Sequence, residues 1–181
     1  MSSPPDPASI TLPDPLPASP DKFGVFDRRD YPLIRVTLGT LHDQQDFRNF
    51  LSEWDDCNLP YRNHTQPPPP GYYFMFYTQD VRGASIRYSI MMSQFVKKLK
   101  NHQRQNRQGL RGSIIIVNSR FIRGLLSIIF YLQRPVADVY LVPDQDTAYI
   151  IWDQLSKKTT PNLEYLPQVT LITRDSSINS S

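Results

Sequence analysis

Residues 118 to 135 read NSRFIRGLLSIIFYLQRP, the most apolar stretch of the chain. Two arginines, Arg120 and Arg123, stand at its start, and Arg134-Pro135 closes it. Between Arg123 and Arg134 the uncharged run is about half of the ~20 residues that a membrane-spanning helix needs, so no transmembrane segment is expected. Asn118 or Ser119 is placed to cap a helix and Pro135 to stop it. A short helix with apolar residues on nearly every face belongs in a protein interior, sandwiched between strands and neighbouring helices. Its arginines then lie in its first turns, near the carboxyl end of the strand before it.

The segments on either side supply those strands. Ser113–Val117 (SIIIV), Asp138–Val142 (DVYLV) and the aromatic run Tyr72–Thr78 (YYFMFYT) are short and continuously apolar, as buried strands are. Tyr88, Met91, Met92, Phe95, Val96 and Leu99 recur at helical spacing, in a helix whose cationic far end stops at Gly109. Ala148, Ile151, Trp152 and Leu155 form the apolar face of a last helix capped by Asp144. Near the start, two β-prone runs flank Asp27-Arg28-Arg29-Asp30 as a hairpin. Thr40 is placed to cap a helix, with Asp43 in its first turn and Phe47, Phe50, Leu51 and Trp54 along its inner face. Val169–Thr173 reads as an edge strand or a packed tail. The order ββαβαβαβα predicts one α/β domain: a mixed, mostly parallel sheet covered by helices.

At 181 residues, 39% apolar and 12% aromatic, the chain can fill one core of ordinary size. Seven of its prolines crowd positions 4 to 20, and Pro67–Pro70 form an unbroken run. Residues 1–21 read as a disordered Pro-rich arm, 22–158 as the folded domain, and 159–181 as an extension that ends in a disordered tail. Cys57 is the single cysteine, so no internal disulfide forms. No leader pattern opens the chain, which makes an intracellular, cytoplasmic location the default.

These residues resemble a known pattern. RRDYPLIRVTL, the strand-ending DVRGAS, IIIVNSRFIRGLLSIIFYLQRPVADVYLV and DTAYIIWDQL are similar to uncharacterised SpoIIAA-like proteins carrying a STAS-type domain. The matching residues are Asp80, Arg82, Gly83, Arg123, Gly124, Leu125, Leu126, Pro135, Ala148 and Trp152, and the likeness spans about Lys22 to Lys158. It implies a STAS fold and a non-enzymatic, protein-interaction or regulatory module. In the antagonist branch a serine directly after the strand-ending aspartate is phosphorylated. Here Val81 follows Asp80, and the nearest hydroxyl is Ser85.

The residues themselves offer three candidate surfaces. If the strands ending at Asp80 and Val117 are neighbours, Asp80, Arg82, Gly83, Ser85, Ser119, Arg120 and Arg123 gather where two helices open at one sheet edge, a setting that favours an anion or a protein partner. The alternative reading of Asp80 is a helix cap paired with Arg82 or Arg123. Ser85, flanked by Arg82 and Arg87, is a possible phosphoacceptor or an ordinary helix cap. Lys97, Lys98, Lys100, Arg104, Arg107 and Arg111 form a possible nucleic-acid patch, helped by the lack of any Asp or Glu from Val81 to Ala137. No aromatics interleave with these cations, and a solvated helix end reads the same way.

Three functions follow. The first is a partner-binding module using the helix-opening edge. The second is a binder of a small ligand or lipid headgroup, with an apolar pocket lined by Ile122, Leu125, Ile129 and Trp152 and arginines at its mouth. The third is an RNA-contacting accessory subunit using the arm and the basic helix end. Catalysis, metals and cofactors are not expected. His42, His64 and His102 have no metal-ligand spacing with one another or with Cys57, and no Gly-rich phosphate loop or nucleophile motif is present. Asp55 and Asp56 beside Cys57 would raise its thiol pKa and blunt it as a nucleophile.

Overall fold

A computed structural model of the protein describes residues 12–62, 70–104 and 109–174. Six strands form one sheet in the order of the sequence. Strand β1 (Gly24–Asp27) makes an antiparallel hairpin with β2 (Leu33–Leu38), which is followed by helix α1 (Gln44–Asp56) and a single turn, α2 (Leu59–Arg62). Then come β3 (Tyr72–Tyr77), α3 (Ile86–Arg104), β4 (Leu110–Ile116), α4 (Arg120–Leu132), β5 (Asp138–Val142), α5 (Gln145–Ser156) and β6 (Thr170–Ile172). Strands β2 to β5 are parallel, and β6 returns antiparallel on β5. The predicted α/β sheet is therefore present, mixed and mostly parallel, with an edge strand at Thr170–Ile172.

Repeated β-α-β crossovers of one hand, advancing one strand at a time, put their helices on one face of the sheet. Phe47, Phe50 and Trp54 of α1, Phe95 and Leu99 of α3, and Ile122 and Leu125 of α4 share one core with Ile34, Phe74 and Phe76. Helix α5 crosses to the other face, where Ala148, Ile151 and Trp152 pack on Leu33, Met75, Ile114 and Val142.

Local chemistry sets the helix starts. The Ser119 hydroxyl accepts from Ile122 N at 3.4 Å and the Asp144 carboxylate from Thr147 N at 2.8 Å, as their positions predicted. For α1 the cap is Asp43, which accepts from Asp46 N at 2.8 Å. Thr40 instead makes an isolated parallel bridge to Arg82, which draws it away from the helix end. Helix α4 also departs from expectation. It buries only Ile122, Leu125 and Ile129, while Phe121, Tyr131 and Leu132 are 59%, 90% and 51% exposed. Among the described residues it is the last helix on its face, with α3 on one flank and no helix on the other.

Helix α5 lies mainly over β4 and β5 on the second face. The strip over β2 is taken by residues 12–20, which have neither helix nor strand. The wholly buried Arg35 guanidinium donates to the Pro13 carbonyl, the Thr37 hydroxyl to the Leu16 carbonyl at 2.6 Å, and Leu12 packs on the second core. Arg29 reaches the Asp14 carbonyl at 3.4 Å and His42 Nε2 the Pro20 carbonyl at 2.9 Å. Part of the expected arm thus runs along β2; its first eleven residues, Met1 to Thr11, and the tail from Asp175 lie outside the described residues.

Arg35 also holds the hairpin. Its Nη2 lies 2.9 Å from Asp27 Oδ2 and 2.6 Å from Asp30 Oδ2. The Arg29 side chain, hydrogen-bonded to Asp27 at 2.9 and 2.8 Å, is the main cause that pulls the Asp27 carboxyl down to about 2; burial opposes it, and the Arg29 N–H and the Arg35 charge add to it.

Candidate functional site

The turn after β3 carries the residues singled out in DVRGAS. The Thr78 hydroxyl anchors it to the Ile116 carbonyl at 2.6 Å, across to the neighbouring strand end. Arg82 N donates to the Gly39 carbonyl and Leu41 N to the Arg82 carbonyl, at 3.3 and 2.9 Å, which stitches this turn to the loop after β2. That close approach explains the glycine. Gly83 has φ +74°, and a Cβ there would sit 2.3 Å from the Leu41 carbonyl oxygen.

Ser85 precedes α3, its carbonyl accepting from Tyr88 N and Ser89 N at 3.0 and 3.3 Å. The starts of α3 and α4 therefore open at the carboxyl ends of the adjacent strands β3 and β4, as the sequence suggested. Asp80, Arg82, Ser85 and Arg120 are exposed and Arg123 half-buried. No ion pair joins Asp80 to Arg82 or Arg123 among the described residues; the Arg82 guanidinium turns back onto the Val81 carbonyl at 3.1 Å.

Beneath this rim lies an apolar cleft of about 140 Å³ between α3 and α4, floored by the sheet. Val81, Ala84 and Ser85 border it at the carboxyl edge, Tyr88, Met92 and Val96 line it from α3, and Ile122, Leu126 and Phe130 from α4. Among the described residues no charged side chain lines it. Leu125 and Ile129 border it as anticipated for a ligand pocket, but Trp152 lies in the other core, across the sheet. Helical periodicity gave the buried side of α5 and not the face of the sheet it would take. Trp54 of α1 is the tryptophan on the cleft wall. Its place in the stripe Phe47-Phe50-Trp54 marked it as buried, with no signal that a void lay beside it.

A second, smaller cavity of about 50 Å³ continues under α4 towards Pro135, Val136 and Ala137. Trp54, Phe76, Val96, Ile115 and Phe130 border both.

The basic patch is divided. Lys97 and Lys98 are exposed on α3, and Lys98 is paired with Asp55 at 2.8 Å. Lys100 is half-buried on the same helix, and Arg111 is exposed at the start of β4, its side chain lying against Gly71. Arg104 closes α3; Arg107 lies outside the described residues, as does His64. Cys57 is buried, and burial first, with Glu53 and Asp56 adding, pushes its thiol up to about 11 despite the nearby Arg28. Among the described residues no three His, Cys, Asp or Glu side chains gather to hold a metal, and no helix is long and apolar enough to cross a membrane.

No protein-family model matches the chain, and no curated protein or solved structure does either.

Proposed function

We propose that this protein is a non-enzymatic binding module that takes a small apolar ligand into the α3–α4 cleft through the rim formed by Val81, Ala84 and Ser85. The cleft itself carries the reading: it is apolar, it opens at the carboxyl ends of two parallel strands, and open α/β sheets hold ligands there. An apolar cavity of this order stays dry and accepts a benzene-sized guest. A STAS-type assignment is proposed with it, supported by the strand order and by the Gly83 turn, and so is an intracellular setting.

Titration with toluene, followed by intrinsic tryptophan fluorescence, tests the proposal. Saturable binding near one equivalent is expected, weakened at least tenfold by Met92→Trp, which fills the cleft from its half-buried wall. Signal that does not saturate, or that Met92→Trp leaves unchanged, would overturn it.

A second reading places a protein partner at the same helix-opening edge. Ile86 and Ile90 are exposed on α3 beside Arg87, in a segment without acidic residues, a surface suited to a partner with apolar and acidic groups. Phosphorylation of the exposed Ser85 belongs to this reading, where it would place negative charge at the edge. Nucleic-acid contact through Lys97, Lys98 and Arg111 has weaker support, since Lys98 is already paired.

A further inference from the structure

Helix α4 turns an apolar side to solvent. Phe121, Ile128 and Leu132 recur at helical spacing on its outer flank, with Tyr131, 90% exposed, beside them. From Phe121 to Leu132 this strip runs about 16 Å along the helix axis. Arg120 and Arg123 stand at one end and Arg134 at the other, and among the described residues none of the three is in an ion pair. No Asp or Glu occurs from Val81 to Ala137. Asp138, the first acid beyond, accepts from Arg174 N at 2.9 Å. Helix α1 on the same face is the contrast: its exposed residues are Gln45, Arg48, Asn49, Ser52 and Asp56, all polar.

We propose that the outer side of α4 rests on an anionic lipid surface, with Phe121, Tyr131 and Leu132 entering the headgroup layer and the arginines at its ends meeting lipid phosphates. A helix lying in the membrane plane places apolar side chains at the acyl boundary, lets cations snorkel to the headgroups and keeps an aromatic hydroxyl at the water interface. The surface is distinct from the cleft, where α4 presents Ile122, Leu126 and Phe130. A second copy fits it less well, because arginines would face arginines with no acidic residue on either α4 to pair with them. The chain's own segments outside the described residues have little to lay on it. Met1, Ile10 and Ile178 are their only large apolar side chains apart from proline, and the arm joins the fold at Leu12 in the core on the opposite face.

Co-sedimentation with vesicles tests the proposal. Vesicles of phosphatidylcholine alone are compared with vesicles holding about 40% phosphatidylserine. The wild-type protein is expected to bind the anionic vesicles at least tenfold more tightly at ~0.1 M salt and to be released at ~0.5 M. Arg134→Gln is expected to weaken binding about fivefold, one cation near the surface. Phe121→Ser with Leu132→Ser is expected to weaken it at least tenfold. Tyr165→Ser with Leu171→Ser, which alters exposed apolar residues elsewhere, should leave it unchanged. Equal losses in the two double variants would overturn the proposal. Wild-type protein that ignores both kinds of vesicle would overturn it too and leave the patch to an acidic protein partner. So would a lipid-free dimer, seen by sedimentation velocity, that Phe121→Ser with Leu132→Ser breaks into monomers.

Discussion

Arg35 Nη2 meets Asp27 Oδ2 across 2.9 Å, with the two side chains 0% and 2% exposed. Removing one member of an enclosed pair costs about 3–5 kcal/mol where the other charge is left with no partner. Asp27→Ala leaves Arg35 its Asp30 partner at 2.6 Å, so a smaller loss of about 2–3 kcal/mol is expected in urea titration. Arg29→Ala is expected to cost much less than Asp27→Ala, because the Arg29 side chain is 54% exposed and its ion pair is screened.

The same carboxylate sets an acid limit. Its pKa falls from 3.8 unfolded to about 2 folded, so its contribution is fully present above pH 4 and is lost as pH drops through about 2. The size is roughly 2 kcal/mol. Urea midpoints measured at pH 4.5 and pH 2 should differ accordingly in wild type, and by less in Asp27→Asn.

Deleting residues 1–20 uncovers β2 on the second face. The Thr37 hydroxyl and one donor of Arg35 lose their carbonyl partners, and Leu12 leaves the core. A loss of about 4 kcal/mol, or about 10 °C in Tm, is expected by thermal unfolding. A truncated protein melting within 2–3 °C of wild type would show the arm to be energetically idle.

Two glycines should respond oppositely to alanine. Gly83→Ala forces a Cβ against the Leu41 carbonyl at positive φ, for a loss of about 2–4 kcal/mol. Gly124→Ala lies in mid-helix, where an added Cβ meets nothing within 4 Å, and should gain up to about 1 kcal/mol. Denaturant unfolding of the pair distinguishes a glycine required by backbone geometry from one that is not.

Cys57 should be inert while the protein is folded. With its thiol pushed up to about 11, modification by a disulfide reagent at pH 8 is expected to be at least tenfold slower than in 6 M guanidinium chloride.

How far the sequence could be read depends on what each signal encodes. Tyr72–Thr78 and Asp138–Val142 were legible because continuous apolar runs are what a sheet covered on both faces requires, and Ser119 and Asp144 because capping is local. Phe121, Tyr131 and Leu132 misled because the amount of apolar side chain in a helix does not say how many neighbours it will have. Trp152 went to the other core because the side of the sheet a helix takes is fixed by connection topology. The cleft is a gap between α3 and α4, and a gap has no residue of its own to announce it. The arm was hardest: its hold on the domain lies in Pro13, Asp14, Leu16 and Pro20 carbonyls, which every residue type carries.

That mode of attachment has a consequence for the arm's composition. A proline gives up its N–H and keeps its C=O, and the side chains that grip this segment ask only for the latter. Proline-rich chain can thus be docked without losing a single bond that the dock uses, and its stiffness lowers the entropy lost on settling there. Beyond Leu12, which packs on the second core, side-chain identity along the strap is free to drift while the spacing of its acceptors is held.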